Sequence, residues 1–350
     1  MKKAGLYVHF PFCRRACFYC HFFKKQLRPD RVESYLADLL REMRLRRDPG
    51  LAPDSVYIGG GSPSLLEADQ VAGILEAAAQ HFRPAAGAEI TMEANPDDLA
   101  PDRLRGWRAA GVNRLSIGAQ SFQERDLRFL KRTHGAAQAA RGVSLAREAG
   151  FANVGVDLII GLPTQTPQSL ERNFKMIGTL KPSHVSVYIL EGVPRPAADD
   201  RDARLYFRSR RALLDLGFQH YEVSNFCRPG KASRHNLKYW RMEPYVGLGP
   251  SAAGYLDGAD YRNGASLGTY GAAVRGGRLS QVKMKQLDPA RRRIITGLRL
   301  LAGIPTASFA AFPGPTAFLL REGFLCRRGR TIAVPPEKIL LLNEILGYFI

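Results

Sequence analysis

Short apolar runs rich in β-branched residues recur along the chain: GLYVHF (5–10), SVYIGG (55–60), EITMEA (89–94), RLSIGA (114–119), NVGVDLIIG (153–161) and HVSVYIL (184–190). Between them, apolar residues return with the three-to-four-residue period of amphipathic helices, at 31–45, 67–82, 136–150 and 169–180. Gly111 and Gly150 stand where helix C-caps stand. Strand and helix patterns in alternation predict βαβ units and a parallel sheet, an α/β fold. Six such units suit a partial, open (β/α)6 barrel better than a closed eightfold one. The rhythm changes near the carboxy terminus. RRRIITGLRLLAGI (291–304) reads as a helix, 318–336 as helix, strand, turn and strand, and 337–350 as a last helix. The expected organisation is therefore a core over 1–225, a connecting segment over 226–283 and a small α+β domain over 284–350.

Composition narrows the class. Hydrophobic residues at 45% and charged residues at 24% are those of an ordinary globular protein. No run approaches the roughly 20 apolar residues of a membrane-spanning helix. The opening MKKAGLYVHFPF has two lysines but no h-region before Pro11, so a cytoplasmic chain with reduced thiols is expected. The net charge of +19 comes mostly from arginine, 39 Arg against 12 Lys. Those arginines are dispersed, with only short clusters at 44–47 and 291–293 and no zinc-finger or RNP-like signature. A solvated, arginine-biased surface is the expectation rather than a nucleic-acid interface. Arginine forks do favour carboxylate and phosphate ligands.

Against that background, three of the five cysteines fall in one octapeptide, CRRACFYC (13–20). Cys13, Cys17 and Cys20 stand at i, i+4 and i+7, so one helix face of small buried residues would satisfy the spacing. A disulfide is disfavoured by the compartment, and clustered thiols there bind metal or do chemistry. The trio follows the first strand directly, and ligand-binding residues of such sheets gather at the C-terminal strand ends. GGGSPS (59–64), Glu93, Gln120 and Asp157 sit at or near the other ends. Three cysteines do not close a tetrahedral zinc site, although His9 or His21 could add a fourth ligand. On a four-iron cube, three thiolates leave one iron open to a cofactor.

The C-x3-C-x2-C spacing resembles the signature of the radical S-adenosylmethionine superfamily. That resemblance implies a [4Fe–4S] cluster on Cys13, Cys17 and Cys20, with S-adenosyl-L-methionine chelating the open iron. An electron from the cluster then cleaves the sulfonium to a deoxyadenosyl radical. LYVHFPFC (6–13), GGGSPS (59–64), MEANP (92–96), LSIGAQSF (115–122) and VDLIIGLPTQT (156–166) resemble its coproporphyrinogen-oxidase-like branch almost end to end. The resemblance places Tyr7 beside the cluster and Gly60, Gly61 and Ser62 at the methionyl end, where amides at a helix start would meet its carboxylate. Glu93 is implied as the ribose partner, and Gln120, Arg132 and Asp157 complete the pocket. The branch usually has Thr where Ser62 stands.

Smaller features divide that branch. Its decarboxylating oxidases carry a further cysteine two residues beyond the third, where this chain has Phe22, and an N-terminal extension before the cysteines. HNLKYW (235–240) is similar to a motif of the branch's haem chaperones and implies that His235 contributes to haem binding. Taken alone, His235 reads as a hydrogen-bonded structural histidine, and Tyr239 and Trp240 as core aromatics or a porphyrin wall. The resemblance thus implies a haem chaperone with haem as cargo, delivered to apo-haemoproteins such as respiratory enzymes, with an electron donor such as a flavodoxin. The alternative is an oxygen-independent coproporphyrinogen III oxidase. An RNA-modifying radical enzyme would be expected to carry a second cysteine cluster or an RNA-binding appendage. The C-terminal unit resembles a winged helix, without an evident base-reading helix. The stretch 192–207 is shorter than the branch's usual one, and Cys227 and Cys326 read as ordinary thiols.

Overall fold

The computed structural model describes residues 2–191, 200–282 and 284–350. Six strands, β1 (Lys2–Phe10), β2 (Leu51–Gly60), β3 (Glu89–Ala94), β4 (Arg114–Gln120), β5 (Asn153–Ile160) and β6 (His184–Ile189), pair in chain order, every neighbour parallel. Helices α1 (Pro29–Leu45), α2 (Ala68–Phe82), α3 (Pro101–Ala110), α4 (Glu124–Phe129), α5 (Ala136–Glu148) and α6 (Pro167–Leu180) lie in the five connections between them. Helix α7 (Arg201–Asp215) follows β6. Gly111 closes α3 at φ 114°, a left-handed conformation that favours glycine.

Strand alternation explains the layering. Leu6, Val8, Ile58, Leu115, Ile117, Val156, Leu158 and Val185 are buried on one face, with Leu39, Ile74, Leu104, Val143 and Ile177 of the helices in the same core. The register puts the opposite set side by side: Tyr7 with Tyr57, Tyr57 with Thr91, Glu93 with Ser116, and Asp157 with Ser186. A period of 2 thus separates a greasy outer face from a polar lumen.

The sheet does not close. Beyond β6 it continues antiparallel through Asn225–Cys227 and Gln219–Glu222. Beyond β1 it gains Tyr245–Leu248 as a seventh parallel strand, then an antiparallel ribbon of Ala253–Leu256, Ala259–Asn263 and Gln281–Val282. The sheet therefore runs through the expected boundary at 225 and on into the connecting segment. Buried Glu42 of α1 fastens this extension by accepting hydrogen bonds from Gly249 N, Asn263 Nδ2 and Tyr270 Oη, with Arg46 on its other side. A charge removed from water needs that many partners.

Helix α8 (Arg234–Arg241) lies against β1 and β2 at their N-terminal halves, where Lys238 Nζ reaches Asp54 at 2.6 Å. The carboxy-terminal unit comprises a helix at Pro289–Gly297, a second at Pro313–Arg321, and a three-stranded antiparallel sheet of Ile304–Pro305, Thr331–Ala333 and Cys326–Arg328. The last expected helix divides into a 3-10 turn, Pro336–Leu341, and an α-helix, Leu342–Gly347. No described helix is long and apolar enough to cross a membrane. Residues 192–199 of the shortened 192–207 stretch lie outside the described residues.

Candidate functional site

The cysteines lie on an irregular loop, not on a helix face. Phe12–Cys13 pairs in parallel with Lys25–Gln26 and closes the loop at its base, and a turn at Phe18–Tyr19 breaks any helical continuation. Lys24 Nζ donates to the carbonyl of Cys20, Arg14 pairs with Asp98, and His9 Nε2 meets Phe23 O at 2.8 Å. All three thiols are free, Cys13 buried and the others half-buried. Burial pushes the Cys13 thiol up; Cys20 and Cys17 push the same way, while Ser62 and Lys24 oppose them, so the trio shares one field. A cavity of about 270 Å³ opens here, lined by Cys13, Arg14, Arg15 and Lys24 among others.

Three soft sulfur donors on one loop, with Arg14, Arg15 and Lys24 beside Cys13 and no carboxylate lining the cavity there, suit an iron–sulfur cluster, whose net charge is negative. Among the described residues no three His, Cys, Asp or Glu side chains are grouped so as to hold a single ion. A cube sets a different requirement, since each thiolate takes its own corner.

The glycine run ends β2 beside this loop. Gly60 has φ 111°, and a Cβ there would meet the His9 ring at 2.6 Å; a Cβ on Gly61 would meet Phe12 O at 2.6 Å. Glycine is needed because two backbones and a histidine ring meet at this point. The expected use of amides for a carboxylate is corrected by the hydrogen bonding. Gly60 N donates to Glu93 Oε2, Gly61 N to Phe10 O and Ser62 N to Phe12 O. The run also enters only the single 3-10 turn Pro63–Leu65, with α2 starting at Ala68. These amides hold the fold, which leaves side chains and carbonyls to meet a ligand.

Glu93 and Asp157 look into the upper lumen. Glu93 accepts from Tyr57 Oη at 2.8 Å and Gly60 N at 3.0 Å. Burial pushes its carboxyl up to about 7, against those two hydrogen bonds. Asp157 is raised by burial too, opposed by the hydroxyls of Ser186 and Ser116, the latter at 3.1 Å from both carboxylate oxygens. Tyr7 Oη meets His9 Nδ1 at 3.0 Å. Gln120 ends β4 at φ 64°, a left-handed conformation uncommon for a side-chain-bearing residue. Arg132 reaches back over the loop, with Nη1 3.6 Å from Cys17 Sγ and Nη2 2.6 Å from Asn95 Oδ1. The residues expected from strand ends thus converge on one rim. Asn95 and Tyr57 join them without having been expected, although Asn95 stands within MEANP and Tyr57 within the second apolar run.

His235 lies elsewhere. It opens α8 deep in the lumen and is fully buried, with Nδ1 3.0 Å from Ser55 Oγ and Nε2 2.8 Å from Tyr239 Oη. Its ring packs so closely that a Cβ on Gly5 would meet it at 2.9 Å. Burial pulls its pKa down to about 3, with Lys238 adding to the effect. This is the geometry of a hydrogen-bonded structural histidine, with both ring nitrogens committed. Haem iron could reach it only if α8 left its seat.

A half-open parallel barrel with three thiols on the loop after its first strand defines a class. The radical SAM superfamily signature matches residues 7–177, and the chain belongs to that superfamily. It falls within the coproporphyrinogen-oxidase-like branch. It is 34% identical over 322 residues to the heme chaperone HemW of Lactococcus lactis subsp. lactis (strain IL1403), covering 88% of this chain and 84% of that one. It is 32% identical over 375 residues to the heme chaperone HemW of Escherichia coli (strain K12), covering 100% and 99%. The solved structure of coproporphyrinogen III oxidase (HemN) from Escherichia coli superposes with a TM-score of 0.84 at 25% identity, over 99% of this chain and 90% of that one.

Proposed function

We propose that the chain is a haem chaperone that binds haem and passes it to apo-haemoproteins, carrying a [4Fe–4S] cluster and S-adenosyl-L-methionine. The observation that carries this reading is the likeness to proteins named heme chaperones across essentially the whole chain. Phe22 supports it over the oxidase reading, because a phenylalanine 62% exposed stands where the branch's oxidases have their further cysteine. The oxidase remains the second reading, favoured by the superposition on that enzyme.

Cys13, Cys17 and Cys20 would hold the cluster, with Arg14, Arg15 and Lys24 offsetting its charge. When bound, cluster and S-adenosyl-L-methionine together supply one-electron reduction and, from it, radical chemistry. Glu93 would accept from the ribose hydroxyls, and Asp157, Gln120, Arg132 and Tyr7 would close the pocket around the nucleoside. Gly60, Gly61 and Ser62 would meet the methionyl end through carbonyl and hydroxyl groups, an arrangement suited to its ammonium. Haem coordination by His235 belongs to the proposal only together with a displacement of α8. An electron donor of the flavodoxin kind and a cytoplasmic setting, with respiratory enzymes among the recipients, complete the reading.

The test is transfer. Anaerobically reconstituted protein, loaded with one haem and mixed with an apo-cytochrome, should surrender the haem faster than free haem in buffer is captured. Retention of haem against every apo-haemoprotein tried would remove the delivery function.

A further inference from the structure

The side chain of Asn95 links the surroundings of two of the three cysteines. Its Oδ1 accepts from Arg132 Nη2 at 2.6 Å, and its Nδ2 donates to Ser62 Oγ at 3.0 Å. Arg132 Nη1 then points at Cys17 Sγ, 3.6 Å away, while Nη2 also touches Gly118 O at 3.3 Å. At the other end Ser62 N donates to the carbonyl of Phe12, the residue before Cys13, which brings the Ser62 hydroxyl beside the Cys13 thiol. The amide has a polarity, and that polarity matters. With its oxygen taken by a guanidinium, only its NH2 is left for Ser62, so the hydroxyl accepts from Asn95 and keeps its own proton for sulfur. One side chain thus orients a donor toward Cys17 and holds a second beside Cys13. Backbone bonds fix the pair from below: Asn95 N donates to Ser64 Oγ at 3.1 Å, and Ser62 N to Phe12 O at 2.8 Å.

We infer that Asn95 is a positioning residue that raises the reduction potential of a cluster on Cys13, Cys17 and Cys20 by holding Arg132 to Cys17 and Ser62 to Cys13. Hydrogen bonds to cluster sulfurs, and a fixed cation beside them, stabilise the reduced and more negative form. The inference rests on the proposed cluster, and its test separates the two.

Asn95→Ala and wild type are reconstituted anaerobically without S-adenosyl-L-methionine. Iron and sulfide are counted, and the cluster is titrated potentiometrically with its reduced form followed by electron paramagnetic resonance. Full cluster content is expected in both. The reduced form of the variant should be disfavoured about tenfold, which is about 59 mV lower for a one-electron couple. Ser62→Ala should lower the potential less, since Arg132 keeps its hold on Cys17. The double variant should match Asn95→Ala alone, because both act through one chain of contacts. A merely structural role predicts neither shift nor that failure of additivity. An intact cluster at the wild-type potential in Asn95→Ala overturns the inference. If Asn95→Ala takes up no cluster, Ser62→Ala decides, and a wild-type potential there overturns it. A wild type without cluster removes the underlying reading, and the inference with it.

Discussion

Glu93 binds two donors and still holds its proton more tightly than an ordinary carboxyl, because burial outweighs both hydrogen bonds. Its folded pKa of about 7 lies above the ordinary carboxyl value of 4.5, so the native state binds more protons than the unfolded chain between those values. Stability from this group is therefore complete below about 4.5 and lost as pH rises to about 7. Glu93→Gln should shrink the advantage of pH 5 over pH 8 in urea unfolding; an unchanged difference would show that the carboxylate is not strained. The same carboxylate should bind ribose best once ionised. Affinity for S-adenosyl-L-methionine, read by calorimetry, should rise through pH 7 in wild type and fall by about 1–2 kcal/mol in Glu93→Gln at pH 8. The placement of Glu93, Gln120 and Asp157 at or near strand ends was legible in sequence, because each lies within or directly after an apolar run. Asn95 was not, since its partners come from other segments and only the fold brings Ser62 and Arg132 to it.

The elements were legible where a single period ran long enough. The six parallel strands and four helices follow the pattern to within a few residues, whereas Tyr245–Leu248 has only four residues and joins β1 from the far end of the sheet. The cysteine loop defeats its own spacing, since the Phe12–Cys13 pairing and the turn at Phe18–Tyr19 leave no room for a helix. At the end of β2, Gly60→Ala must adopt φ 111° and push against the His9 ring, and should cost roughly 1–3 kcal/mol in chemical denaturation. His235 is seated by its surroundings, with a hydroxyl at each ring nitrogen. His235→Ala should destabilise the fold by about 2–4 kcal/mol, through a cavity and two orphaned hydroxyls. Its depressed pKa has the opposite sense to that of Glu93: stability is full above 6.5 and lost as pH falls toward about 3. An alanine variant as stable as wild type would mean that α8 is not seated as described.

Across the whole molecule, a polar lumen, a thiol loop at its mouth and a net charge of +19 coexist in one open sheet. Such a charge draws in anions, among them a plate with two propionates, and its pull should weaken with salt. Haem association should accordingly slow between 50 mM and 500 mM salt; a salt-independent rate would argue for an apolar entry alone. Cluster and cargo should also separate. Alanine at Cys13, Cys17 or Cys20 should abolish the cluster's broad visible absorption, while Cys227→Ala and Cys326→Ala keep it, and loss in the Cys326 variant would sink the assignment. Chaperone and oxidase share this scaffold, so fold alone does not divide them. One preparation does. Anaerobically reconstituted wild type is titrated with haem and, in parallel, supplied with coproporphyrinogen III, S-adenosyl-L-methionine and a reductant while CO2 is measured. Stoichiometric haem binding with no CO2 above the no-protein control is the predicted result; sustained CO2 release without haem binding would contradict it.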